Sequence, residues 1–192
     1  MNNLKKYSKI RSRMQNGDVI AFQGTDFPAM AVQNTTGSQF SHVGLVIRIT
    51  DVDIDRIFII ESVPSAGVVL LPLSRKLYTF PGRAWWAPLR FSKISNNMLP
   101  QLNEQKVRSI IYKWAMCELG KAYDFTMIGS IIKSILLKCK ASEEDCREYI
   151  CSELVAQAFK QGQIWPKGMN ISNITPVDII NLPIIDALVE LY

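Results

Sequence analysis

Tyr149-Ile150-Cys151-Ser152-Glu153-Leu154-Val155-Ala156-Gln157-Ala158-Phe159 places one cysteine ahead of apolar residues at Leu154, Val155, Ala158 and Phe159. Counted from Cys151, these are positions i+3, i+4, i+7 and i+8, one face of an α-helix turned to a core. The spacing predicts Cys151 in the first turn of that helix. First-turn N–H groups have no intrahelical partner, and the helix dipole is positive there. A thiolate so placed is stabilised, and its pKa falls below the free value of about 8.5. A free cysteine is also a small, often buried hydrophobe. The rest of the chain has to decide between nucleophile and packing residue.

The chain has 192 residues, 48% of them hydrophobic, enough to bury one core. One domain over residues 1–192 is expected. Lys and Arg outnumber Asp and Glu by 22 to 17, a formal charge of +5. That is mildly basic, and no nucleic-acid-reading motif or interleaved aromatic platform accompanies it, so no nucleic-acid partner is expected. Cys117, Cys139, Cys146 and Cys151 lack C-x-x-C spacing, and the single histidine is distant at His42. No metal site and no cofactor are expected. No apolar stretch follows Met1-Asn2-Asn3-Leu4-Lys5-Lys6, which reads as no secretory signal, a cytoplasmic setting and free thiols. The basic segment 1–15 reads as a solvated helix or tail, or as a loose contact with an anionic membrane surface. Met127 to Leu137 is interrupted by Gly129, Ser130, Lys133 and Ser134, too broken to span a membrane.

Asn16-Gly17-Asp18 signals a turn into a short buried strand, Val19 to Phe22. Residues 23–40 read as a loop with at most one helical turn, long enough to cover a site. Ser41 to Ile47 reads as a strand with His42, Gly44 and Val46 on one face. A polar connection over Arg48 to Arg56 leads to a strand from Ile57 to Val63, where Ile57, Ile59 and Glu61 share a face. A hairpin would let His42 and Glu61 meet. Gly67 to Leu73 and Arg83 to Phe91 read as further strands, and Glu104 to Leu119 as a helix stopped by Gly120. Phe125 to Leu137 reads as a second helix, and residues 125–148 as a helical insertion or lid. Thr175-Pro176 opens a short helix. Strands first and helices later indicate an α+β fold, an antiparallel sheet packed on helices.

Thiol catalysis needs a thiolate, an imidazole and a group that orients the imidazole. Glu61 is an ionisable residue among Ile59, Ile60 and Val63, costly to bury unless paired, and a histidine is an economical partner. Asp18, Asp26 and Asp124 are rival orienting groups.

Asn16-Gly17-Asp18-Val19-Ile20, Phe40-Ser41-His42-Val43-Gly44-Leu45-Val46, Ile60-Glu61-Ser62, Gly120-Lys121-Ala122-Tyr123-Asp124, Cys151-Ser152-Glu153-Leu154-Val155 and Ile174-Thr175-Pro176 with Asp178-Ile179 resemble, in this order, the circularly permuted NlpC-type papain-like hydrolases. The YiiX-like permuted amidases, which include poxviral members, are the nearest subgroup. The resemblance implies a permuted papain-like fold with the nucleophile at a helix N-terminus. It implies Cys151 as nucleophile, His42 as base, Glu61 as the orienting group and Tyr123 beside the oxyanion. The expected activity is hydrolysis of an amide bond, in a peptide or cell-wall-type peptide, through an acyl-enzyme. Lipid acyl hydrolysis or transfer within the same clan, with a lipid-like substrate, and a non-catalytic binding module are the alternatives.

Overall fold

The computed structural model describes residues 4–64, 66–93, 103–122 and 150–191. Tyr123, Asp124 and the 125–148 segment lie outside them. Among the described residues the sheet has six strands in the order β4-β3-β2-β1-β5-β6, every pairing antiparallel. The strands are β1 (Val19–Gln23), β2 (His42–Asp51), β3 (Ile54–Val63), β4 (Gly67–Pro72), β5 (Arg83–Ala87) and β6 (Val189–Glu190). This is the α+β arrangement that the order of sequence patterns indicates.

Alternation along the strands divides the core in two. Val43, Leu45, Ile47 and Ile60 face α4 (Glu104–Cys117) and α5 (Cys151–Gln161), which bury Val107, Ile111, Leu154, Val155 and Phe159 against them. Val46, Ile57, Ile59 and Phe22 face the other way, under α1 (Lys5–Ile10) and α3 (Leu73–Thr79). The basic N-terminal segment is therefore only partly solvated. Tyr7 and Met14 are buried in this second cluster, and its charged side chains stay outside. Among the described residues no helix is long and apolar enough to cross a membrane.

Three elements differ from the sequence reading. Residues 27–36 form a full helix, α2 (Phe27–Thr36), inside the expected loop. The Asp26 carboxylate accepts the Ala29 N–H at 2.8 Å, Pro28 sits in the first turn, and Gly37 closes the helix at φ +61°. α2 buries no residue, so it carries no apolar periodicity to read. The Arg48–Arg56 connection is two strands and a tight turn, with pairing continuing to Asp51 and Ile54. Backbone hydrogen bonds sustain this overhanging ribbon, although its side chains are polar. Residues 73–79 form α3, directly after Pro72 ends β4.

The turn that starts β1 is tied down by Asp18, which is 1% exposed. Its carboxylate accepts from the Gln15 N–H (3.0 Å), the Trp86 indole (2.9 Å), the Leu89 N–H (3.1 Å) and the Arg108 guanidinium (2.9 Å). Strand, edge and α4 thus share one buried charge. Removing it leaves Arg108, itself buried, without its internal carboxylate. We expect Asp18→Ala to lose about 3 kcal/mol or more in urea denaturation. A loss under about 1 kcal/mol would show that this network does not hold the sheet to α4.

Candidate active site

His42 opens β2, and its ring shares a face with Gly44 and Val46. The β2–β3 register pairs Leu45 with Ile60 and Val46 with Ile59. One step further along, Gly44 stands opposite Glu61, and His42 lies diagonal to it, within reach of a long side chain. Gly44 is required by close approach: a Cβ there would lie 2.7 Å from Ile59 Cδ1. The place opposite Glu61 is consequently empty of side chain. The imidazole Nε2 and Glu61 Oε2 are 2.6 Å apart.

Glu61 has no solvent exposure. Its other oxygen, Oε1, accepts from Lys76 Nζ at 2.7 Å. Burial works to raise the pKa of this carboxyl, but His42 and Lys76 overcome it and hold the group at about 2, well under its ordinary 4.5. The carboxylate is ionised, as the sequence argument about its apolar strand requires.

Cys151 is the first residue of α5 and belongs to the core on the opposite side of the sheet. It meets His42 at the start of β2. Nε2 is engaged by Glu61, which leaves Nδ1 for the sulfur. Burial disfavours the thiolate, yet the charge and hydrogen bond of His42, with the backbone N–H groups of Val43 and Ser152, bring the thiol pKa below its ordinary value. Burial likewise disfavours the imidazolium, and the charge of Cys151, its hydrogen bond and then Glu61 lift His42 to about 9. Each charge favours the other, which draws the thiol toward thiolate and the ring toward imidazolium.

Local sequence explains the helix start. Ile150 at the N-cap is extended and offers no side-chain cap, so the Ser152 N–H is left to face the sulfur. The Ser152 hydroxyl donates to the Ile174 carbonyl at 2.5 Å. The next residue, Thr175, forms a capping box with Asp178 at the head of α6 (Pro176–Ile180). The Ile174-Thr175-Pro176 motif thus anchors the cysteine turn from behind.

Of the rival carboxylates, Asp18 serves the network under β1 and Asp26 caps α2, so neither orients His42. Lys76 and Ser152 escaped the sequence reading. Lys76 had a signal: with Leu73 and Leu77 it forms an i, i+3, i+4 set, a lysine on the inward face of a short helix. Ser152 had none, because a serine after the first helical residue is unremarkable.

A thiol beside an imidazole at a helix head, against an antiparallel sheet of which β1 to β5 precede it in the chain, is the arrangement of the permuted papain-like class of thiol hydrolases. Residues 13–174 match the family of permuted papain-like amidase enzymes, YaeF/YiiX, C92. The chain belongs to this family, and it is an enzyme of the cysteine peptidase and amidase type. Among solved structures it is similar to YiiX of Escherichia coli O157:H7, described as a metalloprotein, at 17% identity and a TM-score of 0.63, over 92% of this chain and 96% of that one. That likeness shows the shared fold. No curated protein matches the sequence. Among the described residues no group of three or more His, Cys, Asp and Glu side chains is placed to hold a metal ion.

The pair makes a reactivity pattern. Thiolate should be present below the ordinary thiol range, and imidazolium should be lost only as pH rises through about 9. With iodoacetamide below pH of about 7, Cys151 should label faster than the exposed Cys117, and His42→Ala should abolish the difference. Peptide mass mapping reads both sites in one sample. Equal labelling of the two cysteines in the native protein would remove the ion pair from consideration.

Proposed function

We propose that this enzyme cleaves an amide bond by thiol acylation, with Cys151 as nucleophile, His42 as acid and base, and Glu61 as the group that orients the imidazole. The observation that carries this reading is the 2.6 Å bond between His42 Nε2 and a fully buried, ionised Glu61, on an imidazole whose other side meets the Cys151 thiol. The ring is fixed in one orientation by its carboxylate partner, with a proton to give from Nδ1.

The steps follow from that arrangement. The Cys151 sulfur adds to the carbonyl carbon, forming the S–C bond as the carbonyl oxygen becomes negative. The first turn of α5 presents backbone N–H groups and the positive end of the helix dipole to that oxygen. The imidazolium passes its proton to the departing nitrogen, the C–N bond breaks, and amine leaves. Water then attacks the thioester as the neutral imidazole accepts its proton, the S–C bond breaks with the electron pair returning to sulfur, and acid leaves with thiolate and imidazolium restored. Tyr123, assigned by resemblance to the oxyanion, lies outside the described residues.

A small peptide or peptide-like amide is the substrate class we favour. One observation supports acyl groups of greater apolar size. α2 joins β1 to β2 immediately ahead of His42, and its Phe27 is 83% exposed, with Met30 exposed one turn on.

Turnover of peptide p-nitroanilides and fatty-acyl p-nitrophenyl esters tests the reading. Cys151→Ala should lower kcat/KM by about 10³-fold or more, and mass spectrometry of the wild type should find an acyl adduct on Cys151. Amide turnover that survives Cys151→Ala would end this assignment. Turnover confined to the esters would move the substrate class to acyl lipids.

A further inference from the structure

We propose that Lys76 is a positioning residue for the thiol–imidazole pair: its ammonium holds the outer oxygen of Glu61, and through that carboxylate it sets the angle of the imidazole and the ease with which the ring gives up its proton. The proposal rests on the catalytic reading above and deepens it.

The geometry is specific. Lys76 Nζ is 2.7 Å from Oε1, while Oε2 is 2.6 Å from the ring. Each oxygen of the carboxylate has one cationic partner, so the carboxylate plane is fixed at both ends. The lysine is itself held. Leu73 and Leu77 bury α3 against the sheet. The ammonium lies 5.3 Å from the Phe22 ring centroid and 5.7 Å from that of Phe80. Phe22 packs on Phe80 and also on the His42 ring, at 5.6 Å. Lysine and imidazole thus share one aromatic neighbour, Phe22, which Phe80 in turn supports.

Charge gives the arrangement its consequence. The groups that face one another here are Lys76 from α3, Glu61 from β3, His42 from β2 and Cys151 from α5. Strands β1 and β4, which flank them, contain no ionisable residue. With thiol and ring as an ion pair, the carboxylate and the ammonium complete a set of four charges that cancel. Without Lys76 the carboxylate faces the imidazolium alone, and a buried net negative charge remains. The ring then keeps its proton more tightly. Attack by sulfur forms the S–C bond in every substrate. An amine departs only after that proton reaches its nitrogen, whereas p-nitrophenolate leaves with the bonding electron pair and needs none. Loss of Lys76 should therefore penalise amides selectively.

The experiment compares kcat/KM, which reports acylation, for a p-nitroanilide or peptide amide and a p-nitrophenyl ester of one acyl group. Lys76→Met should lose about 10-fold or more on the amide and change the ester little. Its high-pH limb on the amide should move upward. Lys76→Arg should restore most of the amide rate. Lys76→Gln keeps a donor for Oε1 without the charge and serves if Lys76→Met fails to fold. Equal losses on amide and ester with an unmoved pH limb, or Lys76→Arg as impaired as Lys76→Met, would overturn the proposal, as would an unchanged amide rate. Cys151→Ala separates the two levels: if it keeps turnover, the catalytic assignment itself fails. If it is inactive while Lys76→Met matches the wild type, only the role of Lys76 fails.

Discussion

A carboxylate with no solvent exposure, set in the middle of a sheet, has to be answered by positive charge. Glu61 is that carboxylate, and much of the surrounding structure supplies the answer. β4 ends at Pro72 and the chain turns at once into α3, whose two leucines seat Lys76 over the sheet face. β2 begins with His42, and Gly44 keeps the intervening place clear. Leaving one such charge unpaired would cost several kcal/mol. The hairpin, the helix after it and the first residue of β2 are consequently parts of one electrostatic solution.

Asp18 is another buried carboxylate among the described residues, and the contrast is informative. Asp18 is met by an indole, two backbone amides and a guanidinium. That site is a fastening between β1, β5 and α4. Glu61 is met by an ammonium and an imidazole, and the imidazole exchanges protons readily. The pH linkage has two edges. The Glu61 contribution to stability is complete above its ordinary 4.5 and is lost as pH falls toward about 2. The His42 contribution is complete below its ordinary 6.5 and is lost as pH rises through about 9.

The sequence made some of this legible and concealed the rest for identifiable reasons. Leu154, Val155, Ala158 and Phe159 announced the cysteine helix because its buried face is periodic. Glu61 was conspicuous because charge is rare in an apolar strand, and two-residue periodicity placed it on the face of His42. α2 stayed hidden because a helix that buries nothing leaves no pattern; its only marks were Asp26, Pro28 and Gly37 at its ends. The β2–β3 overhang was hidden because backbone pairing does not depend on the polar side chains it carries. Lys76 needed a second step, since its meaning appears only once α3 is known to face Glu61.

His42, Glu61 and Lys76 all come from one continuous stretch of strand, hairpin and helix, while Cys151 arrives from a helix far downstream and on the opposite face of the sheet. A ribosome therefore exposes the proton-handling half well before the thiol. Until α5 docks, Cys151 lacks the imidazole and the Val43 N–H that lower its pKa in the folded chain. The order of the polypeptide thus staggers the site in time, and the residues that close the core around the cysteine turn, Ile174 and Ile179 among them, are made later still.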